Sequence, residues 1–231
     1  MKEKQKFFFV GARFYCAERM LEMHLNVVKF AAVENSFLAN ELKKRKIDYV
    51  PISSKKDLLE LIEKTDFDVL VSEGCPYILP VTELKKENQL FINLHPSLLP
   101  DLKGRSPVNG SILFDRPIGA TCHLMDDGID TGAIISQVPV CKHPDLPLDL
   151  LYQLVFMAEA DAFEEAYHKN FEVSEQSQTQ ENYLYYSRKR EDQLITGEDS
   201  LDLIFRKVKA FQVEGQYATI ELRSEEHTSE L

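Results

Sequence analysis

A chain of 231 residues with 44% hydrophobic and 28% charged content can bury one sizeable core, as one ordinary domain or one domain with a small appendage. Its formal net charge of −11 argues against extended contact with nucleic-acid phosphates, and a mean hydropathy of −0.28 with only short apolar runs argues against a membrane protein. Four scattered cysteines, Cys16, Cys75, Cys122 and Cys141, form no Cys-x-x-Cys pair and read as reduced thiols, while Arg13 interrupts the one stretch resembling a signal-peptide core, so a cytosolic protein is expected.

In chain order, apolar runs over 6–10, 27–33, 48–52, 68–72, 89–94, 120–124 and 133–140 read as strands, several of them unbroken enough for a sheet covered on both faces. Helical patterns occupy 37–45 and 55–64. Ser54 followed by Asp57 resembles a capping box for the second, whose stripe is Leu58, Leu59, Leu61 and Ile62. A further helix is expected from Pro107, with Ser106 as its cap. After Pro139, Pro144 and Pro147 comes a long helix over 148–169 with apolar residues at helical spacing. This alternation implies an α/β fold, a mostly parallel, Rossmann-like twisted sheet with right-handed crossovers, flanked by helices. The main α/β unit is expected over 1–172, a polar linker over 173–182 and a small α+β appendage over 183–222, built from strand-like 183–186, helix-like 200–211 and strand-like 216–222. Residues 223–231 can be encoded by AGATCGGAAGAGCACACGTCTGAACTC, the opening of a common sequencing adapter. They are set aside from the fold, and the natural C-terminus is expected to lie beyond Leu222.

The most informative run is Phe91-Ile92-Asn93-Leu94-His95-Pro96-Ser97-Leu98-Leu99-Pro100, answered downstream by Met125-Asp126-Asp127-Gly128-Ile129-Asp130-Thr131-Gly132. Asn93 and His95 lie two apart on a strand, so both side chains project from one face. Pro96 discourages continuation, which leaves His95 at a strand end, where open α/β sheets bind ligands. Singly, each residue has a plain structural reading: a satisfied histidine, a turn-forming asparagine, an aspartate in a tight turn. Together they supply an amide, an imidazole and a carboxylate, the groups needed to move an acyl unit between nitrogens without a covalent enzyme intermediate.

Other chemistries fit less well. His95, His123, Asp126 and Asp130 lack the close spacing of a metal site, so no metal is expected. An EF-hand reading of 126–137 fails at Thr131 and Gln137, and Gly11 lacks the companion glycines of a dinucleotide fingerprint. There is no Gly-x-Ser-x-Gly elbow.

The ordered set Asn93-x-His95-Pro96-Ser97-Leu98-Leu99-Pro100, then Lys103-Gly104 where Arg-Gly is common, then Gly119-Ala120-Thr121-Cys122-His123, then Asp130-Thr131-Gly132, resembles the formyltransferase family over about residues 5–170. That family includes the methionyl-tRNA, glycinamide ribonucleotide and sugar N-formyltransferases. The resemblance implies that Asn93, His95 and Asp130 are catalytic and that N10-formyltetrahydrofolate is the formyl donor. It also implies that Gly74, Cys75, Pro76, Tyr77, Ile78 and Leu79 hold the donor's pterin, with Met125, Asp126 and Ile129 as a second wall.

The acceptor is read from what surrounds the motif. Methionyl-tRNA formyltransferases carry a long basic insertion after the second strand, whereas here Glu34-Asn35-Ser36 leads directly into a helix. The clusters Arg188-Lys189-Arg190 and Arg206-Lys207-Lys209 read as solvated faces rather than a tRNA surface. The chain therefore looks most like a sugar N-formyltransferase acting on a nucleotide-linked amino sugar, in cell-surface polysaccharide biosynthesis, with Lys103 and Arg105 as expected phosphate contacts and a homodimer as the expected assembly. Alternatives are a methionyl-tRNA formyltransferase, a formyltetrahydrofolate hydrolase, for which Leu94 and Ser97 lack the doubled-histidine pattern, and a folate-binding remnant.

Overall fold

The computed structural model describes residues 5–174, 178 and 183–220. In chain order the elements are β1 (Lys6–Gly11), α1 (Tyr15–Glu22), β2 (Asn26–Val33), α2 (Phe37–Lys44), β3 (Val50–Ile52), α3 (Lys55–Lys64), β4 (Val69–Glu73), α4 (Val81–Leu84), β5 (Leu90–His95), α5 (Pro107–Leu113), β6 (Ile118–Leu124), β7 (Ile134–Val140), α6 (Leu148–His168), α7 (Arg190–Gln193), β8 (Leu194–Ile195), α8 (Leu201–Ala210) and β9 (Thr219–Ile220).

The main sheet has the order β3-β2-β1-β4-β5-β6-β7. Strands β3 to β5 pair in parallel, and β6 runs antiparallel to both of its neighbours. The chain leaves β1 toward one edge and returns through β4 toward the other, so the crevice beyond the carboxyl ends of β1, β4 and β5 is where such a sheet takes a ligand. Alternation along β1 explains its unbroken apolar sequence. Phe7 and Phe9 enter one core layer with Phe30 and Phe163, while Phe8 and Val10 enter the other with Leu58, Ile62 and Phe67. Each such side chain stabilises the fold by about 1.5–3 kcal/mol on burial.

The capping expectation at α3 holds: the Ser54 hydroxyl accepts from the Asp57 amide at 3.2 Å, and it also donates to the Asp57 carboxylate at 2.6 Å. At α5, Pro107 takes the first turn, but Ser106 makes no side-chain cap bond. Helix α1 carries no signal that capping rules read, since Phe14 stands at its N-cap without a side-chain bond. Its docking comes from Cys16, Ala17 and Met20, all buried against the α6 side of the sheet.

The appendage differs from expectation at 183–186. That segment forms no strand; it makes a single parallel bridge, Lys103 with Tyr185, closed by Lys103 N–H to Leu184 O at 3.1 Å and Tyr186 N–H to Lys103 O at 2.7 Å. Its partner is a loop rather than a sheet edge, which stops the pairing after one register. Helix α8 forms as expected, capped by Ser200, whose hydroxyl accepts from Leu203 N–H at 3.2 Å. It joins Leu102, Leu113, Tyr186 and Phe211 in a third apolar cluster over α5. The last expected strand shrinks to β9, and its end at 221–222, the adapter-like 223–231 and most of the expected linker lie outside the described residues. Among the described residues no helix is long and apolar enough to cross a membrane.

Candidate active site

Strand β5 delivers Asn93 and His95 to the crevice side by side, as their spacing requires. The Ser97–Pro100 stretch is then pinned by β6 and β7. Thr121 Oγ1 donates to Ser97 O at 2.7 Å and accepts from Leu99 N–H at 3.1 Å, while Gln137 Nε2 donates to Leu99 O at 2.8 Å. The same loop places Leu102 O 3.0 Å from His95 Nε2. A carbonyl only accepts, so Nε2 carries the proton, and Nδ1 is the nitrogen left to face the crevice.

Asp130 converges on that nitrogen. Its Oδ2 lies 3.5 Å from His95 Nδ1 and accepts the Gly104 N–H at 3.0 Å. Asp130 sits at φ 54°, a left-handed backbone that aspartate tolerates better than most residues. The following Gly132 passes beneath the end of β6, where a Cβ would lie 1.9 Å from Leu124 O, so the Asp-Thr-Gly ending is a steric requirement. Upstream, Asp126 Oδ1 closes the turn by accepting from Gly128 N–H at 3.0 Å and Thr131 Oγ1 at 2.6 Å.

A fourth polar group, not expected as part of the site, lies against the first three. His123 of β6 stands directly across from Asn93 of β5, and the Asn93 Nδ2 to His123 Nε2 distance is 3.1 Å. His123 Nδ1 is 2.7 Å from Leu124 O, so Nδ1 holds the proton and Nε2 accepts. Burial, against partial opposition from Asp130, pushes the His123 pKa down to about 4. The 3.7 Å approach of Asp130 Oδ1 to His123 Nε2 is therefore not an ion pair near neutral pH. Only the β5–β6 register reveals this neighbour, and one sequence does not state which strands pair.

These groups open into a cavity of about 610 Å³. One end is walled by Gly74, Cys75, Pro76, Tyr77, Ile78 and Leu79 on one side and Met125, Asp126 and Ile129 on the other. Ile78 and Ile129 are exposed at its rim, apolar surface of the kind a ligand covers. The two walls are tied by Thr82, whose N–H and Oγ1 donate to the Asp127 carboxylate at 3.1 and 2.5 Å. Burial pushes the Cys75 thiol up to about 11, which leaves it protonated and a poor nucleophile. Arg13, packed against Gly74, also lines the cavity, as do Arg105 and Tyr185. Arg105 lines the cavity and Lys103 does not; the Lys103 ammonium lies 4.4 Å over the Tyr183 ring.

Beneath Arg13 sits a buried pair of carboxyls that no sequence motif marks. Arg13 donates to Glu159 of α6 at 2.6 Å and approaches Glu73 of β4 at 4.0 Å, both carboxyls being fully buried. Burial raises Glu73 to about 7 and lifts Glu159 well above the carboxylate range, with Arg13 opposing both shifts. Among the described residues no group of three or more His, Cys, Asp or Glu is arranged to hold a metal ion.

The open α/β sheet carries an amide, an imidazole and a carboxylate at its switch-point crevice, groups suited to acyl transfer, and comparison with known proteins gives the family. The formyl transferase family model matches residues 26–167, and the chain belongs to that family. The methionyl-tRNA formyltransferase of Burkholderia ambifaria is 34% identical over 131 residues, which is 56% of this chain and 40% of the relative. The chain thus spans about two fifths of the length of that relative. In overall shape it is similar to a 4-N formyltransferase from Francisella tularensis, with TM-score 0.73 and 23% identity over 90% of this chain and 88% of the other. It is also similar to the N-formyltransferase of Helicobacter canadensis in complex with folinic acid and dTDP-3-aminofucose, with TM-score 0.69 and 19% identity over 90% and 81%.

Proposed function

We propose that this protein transfers a formyl group from N10-formyltetrahydrofolate to the primary amine of a nucleotide-linked amino sugar. The observation that carries the reading is the meeting of Asn93, His95 and Asp130 at one cavity, with His95 Nδ1 3.5 Å from Asp130. When bound between the 74–79 and 125–129 walls, the folate supplies an activated formyl carbon. The acceptor amine attacks that carbon, a new C–N bond forms, the bond to N10 breaks, and one proton passes from the amine to N10. Asn93 and the Nδ1–H of protonated His95 donate to the formyl oxygen as negative charge grows on it, an effect of about 2.7–4 kcal/mol per donor. Asp130 supports His95 and carries the proton shed by the amine, directly or through water. Arg105, on the cavity wall, meets the acceptor's diphosphate.

The sugar acceptor is supported by the likeness to the Helicobacter canadensis structure, which holds dTDP-3-aminofucose, and by the net charge of −11. This reading sets the protein in the cytosol, with its product entering cell-surface polysaccharide assembly. A methionyl-tRNA acceptor is the second reading, favoured by the named relative from Burkholderia. Incubation with N10-formyltetrahydrofolate and a panel of acceptors separates the two. Formylation of a nucleotide amino sugar is expected, and formylation of methionyl-tRNA with none of any nucleotide sugar overturns the choice; formate release without acceptor points to a hydrolase instead.

A further inference from the structure

Asn93 has an amide that can be presented to the crevice in either of two ways, with its NH2 or its carbonyl toward a neighbour, and the two aim its hydrogens in different directions. The neighbour decides. His123 Nδ1 is 2.7 Å from Leu124 O, a group that cannot donate, so the ring's single proton when neutral is on Nδ1. Its Nε2, 3.1 Å from Asn93 Nδ2, then has only a lone pair to offer. The Asn93 NH2 must turn toward it, which spends one hydrogen on His123 and leaves the second free for the cavity that both residues line.

We infer that His123 is a positioning residue that locks the Asn93 amide in its hydrogen-donating orientation, through a chain running from Leu124 O to His123 and on to Asn93. The inference rests on the formyl-transfer reading for its catalytic consequence, but the chain itself is a property of the free protein. A protonated ring would instead donate from Nε2, draw the Asn93 carbonyl toward itself and turn the NH2 to a different place. Burial guards against this: His123 is 2% exposed. The groups facing it are Asp130 Oδ1 at 3.7 Å, the His95 imidazole, and Asp126 beyond; the two carboxylates favour its charging, while His95 opposes it and burial outweighs them. The acid–base work thus falls to His95, which touches Asp130, and the fixed orientation falls to His123. Two histidines facing one carboxylate hold distinct roles because their ring protons are claimed by different backbone carbonyls, Leu102 O and Leu124 O.

Two measurements test this, one independent of activity. Nitrogen NMR of histidine-labelled free protein near neutral pH is expected to show His123 as the Nδ1–H tautomer with an unprotonated Nε2, and Asn93→Ala is expected to shift that Nε2 resonance. An Nε2–H tautomer, or an Nε2 resonance indifferent to Asn93→Ala, overturns the inference whatever the substrate proves to be. In the formyl-transfer assay, His123→Leu is expected to lower kcat by about a hundredfold, the scale of losing one donor to the developing oxyanion, with little change in donor KM. His123→Gln, whose Oε1 can accept in place of Nε2, is expected to return most of the rate. The double variant Asn93→Ala with His123→Leu is expected to be no slower than Asn93→Ala alone, because the histidine acts only through the amide. Losses that multiply, or a folded His123→Leu protein with the parental kcat, sink the role. If no formyl transfer is seen with any acceptor while the NMR pattern holds, the functional reading fails and the orientation lock stands.

Discussion

Asp130 is held by the backbone of Gly104, whose N–H reaches Oδ2 at 3.0 Å, and Gly104 is in turn gripped by the appendage. Tyr186 N–H donates to Lys103 O, the carbonyl of the same peptide whose N–H reaches Asp130, so the 184–186 segment takes part in aiming the carboxylate.

Replacing Gly104 tests the link. Its φ of +104° is closed to most side chains, and a Cβ would lie 2.6 Å from Tyr186 O. Gly104→Ala is expected to cost about 1–3 kcal/mol of stability through the strained backbone. It is also expected to lower kcat at least tenfold as Asp130 loses its anchor. Denaturant unfolding and steady-state kinetics check the two parts, and unchanged kcat would separate the appendage from catalysis.

Asp130→Asn separates charge from position. The asparagine carbonyl can still accept the Gly104 amide, so the loop and the unfolding midpoint should hold. Without a carboxylate to support the His95 imidazolium or to take up the amine proton, kcat should fall by about 10²–10⁴-fold. A variant that keeps its rate removes Asp130 from the chemistry.

The buried carboxyls under Arg13 predict a pH dependence of stability. Burial raises Glu73 from 4.5 to about 7. The folded state therefore binds more protons than the unfolded one between those values, and this group's contribution to stability falls as pH rises through the window. Glu73→Gln removes the titration. Relative to the parent, the variant is expected to gain stability steadily from about pH 4.5 to pH 7. Urea titrations at several pH values give the difference, and a difference that is flat across the window contradicts the assignment.

The staple between Thr82 and Asp127 holds the two walls of the donor end together without touching the reacting groups. Asp127→Ala is expected to raise KM for the folate severalfold and to leave kcat near the parental value. A fall in kcat with unchanged KM would place Asp127 elsewhere in the reaction.

Much of this arrangement is legible from residues alone, and the illegible part has a common cause. The strands of the sheet follow from unbroken apolar runs, and Asn93 with His95 follows from a spacing of two on such a run. The meeting with Asp130 depends on β6 and the turn at Gly132, so it was reachable only through the ordered motif. His123 stands in the Gly119–His123 motif, but its partner, like those of Arg13, is contributed by distant elements and has no local signal: β5 for His123, α6 and β4 for Arg13. Helix α1 has no sequence signal at its start because it begins without a capping side chain, unlike α2 of the same length, which Ser36 caps. The 183–186 segment has strand composition but meets a loop.

The antiparallel pairing of β5 with β6 has one more consequence. Side chains in a strand change face at every residue, so displacing β6 by a single position along β5 would turn His123 into the layer occupied by Cys122 and bring an apolar neighbour to Asn93. An insertion or deletion within 118–124 would therefore silence the centre even if every polar residue were retained and the protein folded.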